Sequence, residues 1–114
     1  MKILYYRDIE ASPVTHEEAE GVTIRWLIAK EDGAPNFVMR LFEVEPGGNT
    51  PLHTHPWEHE VFVLDGEGVV WRDGHDIPIE SGTAVFVPPD ERHCFKNTGT
   101  GVLRFLCLVP VSAQ

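Results

Sequence analysis

Short apolar runs broken by turn-forming residues recur along the chain. Val22–Ile28, Phe37–Val44, Glu60–Leu64, Gly68–Arg72, Ala84–Val87 and Leu103–Val109 are rich in Val, Phe, Leu and Ile. Turn signals separate them: Glu31-Asp32-Gly33, Pro46-Gly47-Gly48, Asp65-Gly66, Asp73-Gly74, Ser81-Gly82 and Asn97-Thr98-Gly99. Runs of this length and spacing predict an all-β sandwich or barrel. Thr15–Glu20, after Pro13, is read as one helical turn. No long amphipathic helix, internal repeat or low-complexity segment is visible. Residues 1–21 are assigned to an N-terminal arm or extra strand, a candidate dimerisation element. The tail Ser112-Ala113-Gln114 is expected to fray.

Alternation within the runs predicts which side chains share a face. In Leu103-Arg104-Phe105-Leu106-Cys107, Arg104 should face solvent, with Leu103, Phe105 and Cys107 pointing inward together. In His59-Glu60-Val61-Phe62-Val63, an inward His59 carries Val61 and Val63 with it and turns Glu60 outward. The run Phe37–Phe42 is apolar apart from Arg40, so its phase stays open. Either Arg40 or its neighbours Met39 and Leu41 face the interior.

At 114 residues the chain has the size of one domain, 1–114, and 42% apolar residues suffice for a core. The formal charge is −9, from 18 acidic and 9 basic residues scattered rather than clustered. Such a surface repels nucleic acid and anionic lipid, so neither is expected as a partner. No apolar stretch approaches the ~20 residues that span a bilayer. Met1–Glu10 lacks a signal peptide's apolar core and cleavage site. A cytoplasmic protein is the expectation, with Cys94 and Cys107 as buried free thiols.

Four of the six histidines are placed as metal ligands would be. His53, His55 and His59 fall in one segment, His53-Thr54-His55-Pro56-Trp57-Glu58-His59. His53 and His55, two apart, share a face on extended chain. Pro56 allows a bend before His59. His93 lies far along the chain, after Val87-Pro88-Pro89-Asp90-Glu91-Arg92. Imidazole suits Zn, Fe, Cu, Ni and Mn. Neutral imidazoles packed together are poorly solvated until a cation takes their lone pairs. His16, in an acidic stretch, and His75, in a hairpin turn, are read as surface residues. Glu58 and Glu60 are candidate acceptors for the ligands' remaining N–H groups.

The spacing of these residues resembles the two sequence motifs of the cupins. The first, about 47–66, reads Gly47, five residues, His53-Thr54-His55, three residues, His59, six residues, Gly66. The second, about 82–97, reads Gly82, five residues, Pro88, His93, then three residues to Asn97. Two departures stand out. His59 occupies the position where the family usually carries a Glu, with Glu60 next to it, and Asp90 stands where Gly is frequent. The wider string, including Asn36–Phe42, His53–Glu60 and Phe105–Pro110, is similar to small single-domain cupins with four histidines. The resemblance implies a conserved barrel (a double-stranded β-helix, or jelly roll), a homodimer, and one divalent transition metal per chain. Manganese is the expected ion; Fe, Zn, Ni and Cu remain open.

Four neutral ligands would leave a divalent charge uncompensated and two octahedral positions free, an arrangement suited to anionic or hydroxylated small molecules. Phe105, Cys107, Met39, Leu41, Trp57 and Arg40 are the candidate pocket residues, and an inward Arg40 could anchor a carboxylate. The leading expectation is a metal-dependent, oxygenase-like enzyme acting on an aromatic or enol-type molecule. A non-catalytic ligand or metal sensor, and a metal-dependent isomerase or lyase, are the alternatives. No catalytic residue beyond the metal ligands can be named from sequence.

Overall fold

A computed structural model describes Met1–Gln114. It contains nine strands: β1 Ser12–Pro13, β2 Glu20–Ile28, β3 Phe37–Asn49, β4 His59–Asp65, β5 Glu67–Arg72, β6 His75–Glu80, β7 Ala84–Val87, β8 Cys94–Asn97 and β9 Leu103–Pro110. They form one antiparallel sheet in the order β6-β5-β8-β3-β9-β4-β7, with β2 pairing the free length of β3 and β1 pairing β2. The sheet curls on itself. The turn after β6 is hooked to β4 where Val63 N–H donates to Thr83 O and Gly82 N–H to Val63 O, both at 2.9 Å. The expected all-β cupin barrel is therefore the observed fold. No helix is long and apolar enough to cross a membrane.

Three strands lie outside the apolar runs. β1 is the two-residue Ser12–Pro13, within the stretch read as an arm or extra strand. β6 carries Pro78, which lacks a ladder donor, and it is tolerated because β6 ends the sheet path. β8 is only four residues long, too short to show a period. Thr15–Glu20 is not helical; its hydrogen-bonded turn is closed by Ala19 N–H to His16 O at 2.9 Å. Nor is the tail loose. Val111–Ala113 form a 3-10 turn, and the Gln114 side chain accepts from Lys30 N–H at 2.9 Å and donates to Glu31 at 2.7 Å.

The interior follows the alternation of β9. Leu103, Phe105, Cys107 and Val109 are all at most 3% exposed, as expected for one inward face. Phe105 stacks on Phe42, centroids 5.4 Å apart, and meets Phe95 at 4.9 Å. Register settles the phase of β3: Trp26, Arg40, Cys107 and Val61 form one row across β2, β3, β9 and β4, and all four side chains point into the barrel. Met39 and Leu41 therefore lie on the opposite face.

That outer face is held by charge. Glu43 accepts from Arg25 at 3.0 Å and from Arg104 at 2.9 Å, and Arg25 also reaches the Tyr6 and Ile9 carbonyls of the N-terminal arm. Arg104 is thus outward, as expected, but tied down rather than free. Burial works to raise the Glu43 carboxyl, and the two guanidinium hydrogen bonds outweigh it, holding its pKa below the ordinary carboxylate value.

Candidate metal centre

Each half of the site arrives on a different piece of chain, and the two halves are clipped together by backbone. His53 and His93 form an isolated antiparallel bridge, with His53 N–H donating to His93 O at 3.2 Å and His93 N–H to His53 O at 3.1 Å. Thr50 reinforces it: its N–H donates to Phe95 O at 2.9 Å, and its hydroxyl accepts from Phe95 N–H at 2.8 Å. His59 opens β4, opposite Val87. His55 is steadied by the loop before His93, where Asp90 N–H donates to His55 O at 2.8 Å. Asp90 has φ +67°, so it supplies the left-handed turn for which Gly would be the easy choice.

One ring nitrogen from each of His53, His55, His59 and His93 lies within 4.8 Å of every other. The Nε2 atoms of His55 and His59 are 2.7 Å apart. Around an ion with metal–nitrogen bonds of ~2.1 Å, adjacent ligands stand about 3.0 Å apart and opposite ones about 4.2 Å apart. The four nitrogens match that frame and could hold one divalent cation. His59 and His93 are buried, at 7% and 4% exposure, while His53 and His55 sit toward the open side. Glu60, beside His59, is exposed on the outer face.

The remaining ring nitrogens set the tautomers. His55 Nδ1–H donates to Trp57 O at 3.0 Å and His93 Nδ1–H to Glu91 O at 2.8 Å, leaving each Nε2 lone pair for the centre. These acceptors are backbone carbonyls, not Glu58 or Glu60 as expected; both carboxylates line a separate groove on the outer side with Asn36 and Phe37. His59 is different. Its Nδ1 meets Cys107 Sγ at 3.2 Å and an Arg40 nitrogen at 3.4 Å. Arginine cannot accept, so with Nε2 turned to a cation the His59 Nδ1–H has the sulfur as its acceptor.

Burial favours the neutral form of His53, His59 and His93. It pushes the His53 pKa down to about 4, with His93 adding repulsion, and the His59 pKa to about 2, with the Arg40 charge adding to the effect. His93 is lowered for the same primary reason. Burial raises the Cys107 thiol, against the pull of Arg40. Near neutral pH these three histidine rings are neutral, and each keeps one lone pair to offer a cation.

The histidines form one wall of a cavity of about 330 Å³, within the range of small-molecule sites. Phe105, Cys107, Arg40 and Trp57 line it, together with Trp26 and Phe42. The Trp57 ring stacks on His55 at 4.5 Å and 7°. Met39 and Leu41 do not line it, because the register of β3 turns them outward; Leu41 is 1% exposed in the outer layer beside Arg25 and Leu106. Sequence reasoning missed His16, which reaches the cavity mouth with its ring 6.4 Å from that of His53. Ala113, on the ordered tail, lines the same cavity. His75 begins β6 on the surface, just after the Asp73-Gly74 turn.

Comparison with known proteins places this geometry in a family. The family model described as "Cupin domain" matches residues 40–109. The oxalate-binding protein of Thermotoga maritima is 37% identical over 92 residues, covering 77% of this chain and 74% of that protein. Polyketide synthase CurC of Streptomyces cyaneus is 30% identical over 95 residues, 82% of this chain but only 62% of the relative. Among solved structures, the polyketide cyclase RemF from Streptomyces resistomycificus superposes with a TM-score of 0.92 at 38% identity, covering 97% of this chain and 80% of that one. A curled antiparallel barrel, a convergent set of four histidines and these likenesses together establish that the chain belongs to the cupin family.

Proposed function

We propose that this cupin is a divalent-metal enzyme acting on a small enolisable molecule, a β-dicarbonyl or phenol of the kind found in aromatic polyketides. The observation that carries the reading is the convergence of four neutral imidazoles at one wall of an aromatic-lined cavity of about 330 Å³. A bound divalent ion would supply Lewis acidity and two-point chelation of a substrate's paired oxygens. The chain's own residues supply the rest. Trp26, Phe42 and Phe105 offer flat apolar walls for a planar ring or enol, and Trp57 braces His55 by stacking. Arg40 brings a fixed positive charge to the wall. His16, at the mouth, is the cavity residue placed to exchange a proton with an entering substrate without being a ligand.

The oxygenase-like chemistry expected from the four-histidine set and redox-neutral cyclisation or isomerisation share this description. The likeness to RemF and CurC supports the redox-neutral branch. A second reading is a binding module without turnover. It is supported by the absence of any Asp or Glu base among the cavity residues, and by the oxalate-binding relative. Turnover of poly-β-ketone and phenolic substrates by metal-loaded protein, with and without O₂, separates the three. Activity retained under anaerobic conditions supports the redox-neutral branch, activity that needs O₂ selects the oxygenase, and tight binding without turnover selects the module.

Manganese is the proposed ion and the cytoplasm the proposed location. A homodimer is also proposed, through the outer face on which Phe62 and Phe86 are 45% and 62% exposed. Light scattering on a Phe62→Glu, Phe86→Glu variant tests it, since loss of the dimer is expected.

A further inference from the structure

Arg40 is electrostatically out of place. The other two guanidinium groups on this part of the barrel, Arg25 and Arg104, share Glu43, and Arg104 also pairs with Asp65. Arg40 points the opposite way, into the cavity, where no Asp or Glu lines the wall although the chain as a whole carries −9. Its contacts there are a sulfur, His59 Nδ1 at 3.4 Å and two aromatic rings. One terminal nitrogen donates to Cys107 Sγ at 3.0 Å, and the guanidinium carbon lies 5.0 Å from the Phe42 ring centre and 5.6 Å from that of Trp26. Its Nε is buried with no hydrogen-bond partner.

A half-buried charge without a counter-charge is costly, and such a group persists where something else completes it. Cys107 holds the guanidinium in place but offers it only a weak acceptor. The rings fix its plane. One imidazole away, His59 belongs to a centre that would carry a further divalent charge. Everything fixed and charged in the cavity is positive, so the missing partner is an anion.

We propose that the cavity takes a small organic anion with two oxygen functions, one at the four-histidine centre and the other a carboxylate held by Arg40. This deepens the proposed function and rests on it, by naming the charge and the two anchors of the substrate. A carboxylate pairs its charge with the guanidinium through bidentate hydrogen bonds, whereas an uncharged ester carbonyl accepts only a weaker one.

The test is calorimetric titration of the zinc-loaded protein, zinc being redox-silent, with 2,4-dioxopentanoate and with its uncharged methyl ester. Wild type is expected to bind the acid about tenfold or more tightly than the ester. Arg40→Gln should abolish that gap while keeping zinc content and ester affinity. Arg40→Met, which preserves packing between Trp26 and Phe42, repeats the charge removal should the amide variant fail to fold. Equal affinities in wild type, or a gap that survives loss of the guanidinium, overturns the assignment of Arg40. Ester binding without a gain for the acid sinks only this inference. Failure of both probes to bind wild type sinks the proposed function with it.

Discussion

His53 and His93 exchange both of their backbone hydrogen bonds, at 3.2 and 3.1 Å, although thirty-nine residues of chain lie between them. Two of the four candidate ligands are thus positioned by main chain, independently of any cation. The site is organised by the barrel rather than by the metal, and the ligands can be removed singly without dissolving the fold.

His59 and Glu60 are neighbours on β4 with opposite fates, one 7% exposed inside and the other exposed outside. His59→Ala is expected to lower metal affinity at least a hundredfold. Glu60→Ala should leave metal content unchanged. Elemental analysis and competition with a chelator decide between them. Metal loss on the Glu60 change would mean that the strand's register is shifted by one residue.

Cys107 Sγ is the acceptor that His59 Nδ1–H meets when Nε2 holds the cation, and such outer partners typically contribute about 10–100-fold to metal affinity. Cys107→Ala removes that acceptor with the loss of one buried sulfur. It is expected to weaken metal binding about tenfold or more, at a stability cost of about 1 kcal/mol. Cys107→Ser, which restores an acceptor, should recover much of the loss. Chelator titration and thermal melts report the two effects separately.

Acid should destabilise the metal-free protein in a defined window. The folded pKa values of His53 and His59 lie at about 4 and about 2, below the ~6.5 of an exposed imidazole. Between these values the unfolded chain binds more protons than the folded one, so stability falls as pH falls. The contribution is fully present above pH ~6.5 and is lost progressively down to about 4 for His53, and further for His59. Glu43, with its lowered pKa, adds a loss of the same sign only below the ordinary carboxylate range. Melting temperatures of chelator-treated protein from pH 8 to pH 4 measure it, and His53→Asn should flatten the upper part of the curve.

Asp90 carries the left-handed turn whose N–H holds His55. Asp90→Gly should stay within about 0.5 kcal/mol of wild type, because relief of the positive φ offsets the added freedom of the unfolded chain. Asp90→Val, branched at Cβ, should cost about 1–2 kcal/mol and weaken metal binding by loosening His55. Urea unfolding and chelator titration check both.

Alternation alone determined much of this protein. Leu103, Phe105 and Cys107 face inward together, His59 carries Val61 and Val63 with it, and Glu60 faces out, because side chains on a strand can only alternate. The spacing of His53, His55, His59 and His93 was legible because metal ligation constrains residue type. The phase of β3 was not legible. Phe37–Phe42 is packed on both faces, by the core inside and by the layer around Arg25 outside, so its apolar residues run on without a polar face to mark the phase. Only pairing with β2 and β9 turned Arg40 into the cavity and Met39 and Leu41 away from it. The same holds for His16, the tail at Ala113, and the sulfur partner of His59. Those contacts join residues distant in the chain, and their geometry exists only once the sheet has closed.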